Sequence, residues 1–233
     1  MKTSHLSSPE LSEPVRRLRR LDVCAVSDAL DKLGIQGVVS GLRQLSTERR
    51  IAGRVTTVKL VAQSDDSTAT PAVAAPRHLC ATAIEASGAD SVIVVEQRTG
   101  IEAGSWGGLL TLGASQKRIA GVVSEGLVRD IDEARQYDFP VFARGLTART
   151  ARGRVKELAT HLDIQVGDVA VRDGDYVIAD NSGVAFIPAA QVGAVLEVAE
   201  QIFSRESAMA KALLDGQPIS QVMGANYEYM LRN

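Results

Sequence analysis

Two short stretches carry the residue types that do chemistry: "GSWGGLL", which holds Gly107, Gly108 and Leu109, and "EGLVRD", which holds Glu125, Arg129 and Asp130. Glycines ahead of an apolar helical run leave backbone N–H groups unpaired at the positive end of a helix dipole, which suits a carboxylate or a phosphate. An arginine offers a forked donor to a carboxylate, and the neighbouring aspartate offers oxygen ligands to a divalent cation. Glu206, in "FSRESAMAKAL", adds a carboxylate on a helical face of mostly small or apolar residues. Each feature also has a plainer reading: a tight turn for the glycines, a solvated ion pair for Arg129 and Asp130, an exposed helical glutamate for Glu206.

Other residues narrow the chemistry by exclusion. His5, His78 and His161 are scattered, and Cys24 and Cys80 sit in apolar settings that match no metal-ligand spacing, so any metal must be held by oxygen. Both cysteines read as small buried residues rather than a disulfide. Asp168, Asp173 and Asp175 lie beside glycines and read as turn chemistry. No lysine falls in the two motifs, and Lys117, in "SQKR", reads as solvated, which leaves a Schiff-base route little support.

The elements that must position these residues follow from the pattern. "RIAGRVTTVKLVAQ" reads as a half-buried strand, and from about residue 77 to 145 helices and strands alternate: "HLCATAIEAS", "DSVIVVEQ", "WGGLLTLGASQKR", "IAGVVSE", "VRDIDEARQY", "PVFARG". Such alternation predicts a parallel sheet with packed helices, and both motifs then fall at carboxyl ends of strands, where ligands bind in such folds. Gly126 is placed to turn the chain sharply ahead of Arg129 and Asp130. The last third, "RVKELA", "DIQVGDVAVRDGDYVIAD" and "SGVAFIP", reads as antiparallel hairpins, closed by a long helix from about Gln191 to Leu214. Ahead of all this, residues 1–15 read as a loose arm, and 16–233 as one domain. "EPVRRLRRLDVCAVSDALDKLG" reads as a helix with Val15, Leu18 and Leu21 on one stripe, then a second helix capped by Ser27. Arg16, Arg17, Arg19 and Arg20 read as its solvated face.

Twenty-six basic against 28 acidic side chains leave a net charge of −2, which gives no global pull toward nucleic acid or an anionic membrane. No apolar run is long enough to span a bilayer and no signal peptide is evident, so a cytoplasmic protein with neither a nucleic-acid nor a membrane partner is expected.

Together, "VSDALDKLG", "GVVSGLRQL", "GSWGGLL", "GVVSEGLVRD", "FPVFARG", "VGDVAVRDGDYVIADNSGVAFIP" and the closing "RE" helix resemble the 4-hydroxy-4-methyl-2-oxoglutarate aldolases, a family that includes the regulator of ribonuclease activity A. The similarity covers about residues 20 to 220, with the motifs in the family's order. It implies a swivelling β/β/α fold, an α/β architecture with a mixed sheet and flanking helices. It also implies a homotrimer or a dimer of trimers with the active site between subunits. The implied activity is metal-dependent cleavage of a 4-hydroxy-2-oxoacid to pyruvate, or decarboxylation of oxaloacetate, with Mg²⁺ or Mn²⁺. By the same resemblance Asp130 would be the metal ligand, Arg129 would hold the substrate carboxylate, and the backbone of Gly107, Gly108 and Leu109 would bind the pyruvyl carboxylate. Glu206 would come from the neighbouring subunit. Enzymatic members often carry an acidic residue where this chain has Gly108, and commonly Asp where it has Glu125, so the general base is missing here or supplied differently, by Glu125 or Glu206 acting through water. The regulator branch typically lacks the aspartate and binds a ribonuclease instead; Asp130 favours the enzyme.

Overall fold

The computed structural model describes residues 11–64 and 78–224. The N-terminal ten residues of the expected arm lie outside the described residues. The elements in chain order are α1 (Glu13–Leu18), α2 (Val23–Lys32), β1 (Val38–Val39), β2 (Arg43–Gln44), β3 (Ile51–Ala62), α3 (Ala81–Ala86), β4 (Ser91–Gln97), α4 (Gly108–Gln116), β5 (Gly121–Val128) and α5 (Ile131–Gln136). Then come β6 (Val141–Leu146), β7 (Val155–Thr160), β8 (Ile164–Val166), β9 (Val169–Val171), β10 (Tyr176–Asp180), β11 (Gly183–Ile187), α6 (Val192–Leu214) and α7 (Ile219–Val222).

The apolar run Val92 to Val95 in β4 is what a strand buried on both faces needs; β4, β5 and β6 pair in parallel as the alternation predicts, and β3 joins β4 in parallel. The sheet runs β1-β11-β10-β3-β4-β5-β6-β2 with β7 added along β3; its outer pairings, including β10–β11 and β2–β6, are antiparallel. Alternation along the strands sorts side chains into layers. On one face Val58, Ile93, Val95 and Val122 pack against α3, α4 and α5, while Ala52, Ile178 and Ala185 pack against α1, α2 and α6. On the other, Val55, Val92, Val94 and Val123 pack against the β8–β9 hairpin. Chains alternating by two place their odd and even residues on opposite layers.

Several local expectations change. Asp22, not Ser27, caps α2, its carboxylate accepting from Ala25 N at 2.8 Å. Val23 follows Asp22 directly, so the helix starts as soon as its buried stripe does. Cys24 is exposed, whereas Cys80 is buried and both are free thiols. Burial drives the Cys80 thiol well up from its usual range, and nearby Glu157 adds to this. Arg17 is no solvated residue: it grips Glu200 of α6 with two bonds of 2.7 and 2.8 Å and ties α1 to the long helix. Asp175 fastens its own turn through Arg172 N and Ala189 N, both at 2.9 Å, as turn chemistry requires. No helix among the described residues is long and apolar enough to cross a membrane.

Candidate functional site

β4 stays paired with β5 only as far as Val95 and Ser124. Beyond that point residues 104–106 take its place: Gly104 bridges Leu127, Ser105 N donates to Leu127 O at 2.8 Å, and Arg129 N donates to Trp106 O at 3.0 Å. A bulge in β5 between Ser124 and Leu127 is filled by the Ser124 hydroxyl, which accepts Gly126 N at 3.1 Å and lies 2.6 Å from Ser105 Oγ. Gly126 therefore does not make the turn. It sits in the bulged strand, where a Cβ would come 2.5 Å from Gln97 Oε1. The turn falls at Asp130 itself, with φ 54° and ψ 44°, a left-handed conformation that aspartate tolerates better than most side chains.

That turn aims Asp130 at the N-terminus of α4. Gly107, the N-cap residue, has no side chain to offer, and Asp130 Oδ2 accepts Gly108 N at 3.0 Å in its stead. Arg129 Nε lies 3.1 and 3.2 Å from the two carboxylate oxygens. The glycines make the approach feasible: a Cβ on Gly107 would lie 2.9 Å from Asp130 Oδ2, and one on Gly104 would lie 3.0 Å from Arg129 Cδ and Cγ. These groups wall a pocket of about 200 Å³, together with His78, Leu79, Leu110 and Thr150. Trp106 forms its floor, donating from Nε1 to Thr111 Oγ1 at 2.9 Å and stacking on Phe139 at 6.2 Å between ring centres. At the mouth Leu109 is 84% exposed, a large apolar side chain with nothing over it in the single chain.

The donor inventory decides what the pocket can hold. Among the described residues Asp130 is the only carboxylate in its wall, and no group of three or more His, Cys, Asp or Glu among them forms a closed metal cage. A zinc site of four protein ligands is thus a poor match. Magnesium or manganese fits, because such ions keep water and substrate oxygens as ligands and need only one or two carboxylates. Gly108 N–H is already bonded to Asp130, so Leu109 N–H and Leu110 N–H remain in the first turn of α4 for a bound anion.

The pocket thus brings together Gly107, Gly108, Leu109, Arg129 and Asp130, but neither Glu125 nor Glu206 of the same chain. Glu125 lies on the hairpin-facing side of β5, paired with Arg144 Nη2 at 3.0 and 3.2 Å, and lines a separate hollow with Gln97 and Glu102. The bulge between Ser124 and Leu127 takes it away from the layer of Arg129. Glu206 lies on α6, where burial first, and then Asp22 and Asp28, raise its pKa above the ordinary glutamate value. Sequence reasoning missed Glu133, an exposed carboxylate in the first turn of α5 whose Cβ lies 3.6 Å from the position of a Cβ on Gly108. Its signal was its place three residues after Asp130, one helical turn along.

The chain is thus a mixed α/β protein in which an Arg-Asp pair faces the N-terminus of a helix. Residues 23–186 match the RraA-like family, described as Aldolase/RraA, and the chain belongs to that family. It is 30% identical over 141 residues, 60% of this chain and 76% of its own length, to the 4-hydroxy-4-methyl-2-oxoglutarate aldolase of Thermus thermophilus. Protein DlpA of Legionella pneumophila is 28% identical over 94% of this chain, which spans only 35% of DlpA's length. Among solved structures, an uncharacterized protein from Pseudomonas syringae superposes with a TM-score of 0.78 at 26% identity, covering 92% of this chain and 94% of that one. Streptomyces coelicolor RraAS2, of the ribonuclease-inhibitor RraA family, shares the fold with a TM-score of 0.73 at 23% identity, over 87% of this chain and 98% of its own.

Proposed function

We propose that the chain is a divalent-metal-dependent lyase of short 2-keto acids, releasing pyruvate from a 4-hydroxy-2-oxoacid or from oxaloacetate in the cytoplasm. The observation that carries this reading is the Asp130 carboxylate, held by Arg129 Nε and Gly108 N over the α4 N-terminus and still open at Oδ1 to a further partner. A divalent ion held by Asp130 would supply the positive charge that draws off the electrons of the breaking carbon–carbon bond. The terminal nitrogens of Arg129 have no partner among the described residues and are free to bond the substrate carboxylate. Leu109 N–H and Leu110 N–H stabilise the pyruvyl carboxylate, with the α4 dipole behind them. In the retro-aldol direction the C4 hydroxyl loses its proton to a carboxylate acting through water, the C3–C4 bond breaks, and protonation of the resulting enolate gives pyruvate. In the decarboxylation, CO₂ leaves and the same enolate forms.

The proton acceptor is Glu206 of a second copy in a trimer or a dimer of trimers. What supports an interfacial site is apolar surface without cover: Leu109 at the pocket mouth, and Leu214, Ile219 and Met223 at 88%, 61% and 45% exposure beyond the last buried residue of α6. The test is pyruvate release from oxaloacetate and from 4-hydroxy-4-methyl-2-oxoglutarate with Mg²⁺ or Mn²⁺, then with EDTA, then in Arg129→Ala. Turnover confined to the metal-loaded wild type is expected. Turnover unaffected by EDTA overturns the reading, and so does capture of a ribonuclease without turnover of any keto acid.

A further inference from the structure

α4 and α5 begin at the candidate active site and end together at the opposite end of the sheet, in a second and larger cleft of about 440 Å³. Among the described residues four arginines, Arg19, Arg49, Arg50 and Arg118, face a single wall carboxylate, Asp138. The cleft shares no wall residue with the Arg129 and Asp130 pocket.

Local pairing does not use up this positive charge. Arg49 is tied to Asp138, at 3.1 Å to its carboxylate, and Arg50 lies 3.6 Å from Asp180 and bonds Leu21 O. Arg19 donates only to Ala89 O, at 3.2 Å. Burial, reinforced by the charge of Arg49 and opposed by Asp90, makes its guanidinium harder to keep charged. Arg118 has no side-chain partner among the described residues. Backbone already closes part of the last turn of each helix: Ile119 N donates to Ala114 O at 3.0 Å, and Phe139 N to Ala134 O at 2.9 Å.

Backbone cost marks the same place. The residue after each helix's C-cap takes the left-handed conformation that usually calls for glycine, yet it is Arg118 at φ 59° and Asp138 at φ 49°. A strained side chain is thus retained at both helix ends facing one concave, polar space.

We propose that this cleft is a binding site for a small, multiply charged anion, a tricarboxylate or a pyrophosphate-like group, gripped by Arg118 and Arg19 with Arg49 and Arg50 completing the charge. Guanidinium forks suit both chemistries equally. Trp106, the single tryptophan, lines the Arg129 and Asp130 pocket and stacks on Phe139 of the cleft wall, so its signal responds to either site and the variants below assign it.

The test is a titration of the metal-free full-length protein with citrate and, separately, with pyrophosphate, at 0.15 M salt and constant ionic strength. Trp106 fluorescence and calorimetry read the binding, and acetate serves as the monovalent control. Saturable binding of one of the two is expected, and which one binds names the source. In Arg118→Gly the affinity falls about tenfold or more, while the urea midpoint rises because glycine relieves the left-handed residue. Asp130→Asn leaves this affinity within about twofold, since it alters only the other pocket. The proposal is overturned if neither polyanion binds beyond the acetate control, or if Arg118→Gly binds as tightly as the wild type. Loss of binding in Asp130→Asn rather than Arg118→Gly also overturns it, because the ligand then sits in the keto-acid pocket.

Discussion

Replacing Asp130 by Asn, Gly and Ala separates its chemical role from its structural one. Three effects act at this residue: its bond to Gly108 N caps α4, its ion pair with Arg129 is about one-third exposed, and its φ of 54° is left-handed. The cap is worth about 1 kcal/mol, and the partly exposed pair less than about 1 kcal/mol. A side chain that fits the left-handed region poorly costs about 1 kcal/mol, which glycine avoids. Asn keeps an oxygen for Gly108 N and tolerates the backbone, so Asp130→Asn loses under about 1 kcal/mol, or about 2–4 °C in Tm at most for a chain of this size. In Asp130→Gly, the lost cap is offset by the relieved backbone, for a net change of about 1 kcal/mol or less. Asp130→Ala loses the cap and the pair and gains strain, about 2 kcal/mol in all, or about 4–8 °C. Activity behaves differently. All three variants lose the carboxylate that would hold the ion and fall about 1,000-fold in kcat/KM, equivalent to about 4 kcal/mol of transition-state stabilisation. Far-UV circular dichroism, manganese calorimetry and a coupled pyruvate assay on the same preparations read the three quantities. Asp130→Asn that binds manganese and turns over like the wild type refutes the assignment, and so does activity that tracks Tm across the series.

Gly107→Ala puts a methyl group 2.9 Å from Asp130 Oδ2, so the carboxylate must shift; steady-state kinetics are expected to show a loss of about 100-fold in kcat with the fold retained. Trp106→Phe removes the donor to Thr111 Oγ1 and leaves that buried hydroxyl short of a partner, a loss of about 1–3 kcal/mol in urea unfolding. Asp28 is held above its ordinary pKa of 3.8 by burial first, then by Asp31 and Asp22. A raised folded-state pKa means that the associated stability is present at low pH and lost as pH rises through the folded value. Asp28→Asn should therefore raise Tm at pH 7 and leave it unchanged near pH 3, as a thermal scan across pH will show.

Much of the fold was legible because β3, β4 and β5 are rich in Val and α4 and α6 are long enough to show a period. β1 and β2 were not, since two residues cannot display any alternation. The candidate site was legible as a pair of motifs, because glycines before a helix and an Arg-Asp pair after a strand both lie at carboxyl ends of parallel neighbours. What the sequence hid was three-dimensional. Gly126 reads as a turn, yet its role is the close approach of Gln97 inside a bulge, a contact made 29 residues away in the chain. Glu125 stands four residues before Arg129, but a bulged strand sends it to the opposite layer and to Arg144. Arg17 was assigned to solvent because its partner, Glu200, lies on a helix almost at the other end of the chain.

The most direct test of the keto-acid lyase reading is a crystal structure of the full-length protein with Mn²⁺ and oxalate, a mimic of the pyruvate enolate. Anomalous density is expected about 2.1 Å from an Asp130 oxygen, with oxalate bridging the ion to Arg129 and to the first-turn N–H groups of α4. Manganese bound elsewhere, or oxalate in this pocket with Asp130 still turned only to Gly108 N, contradicts it.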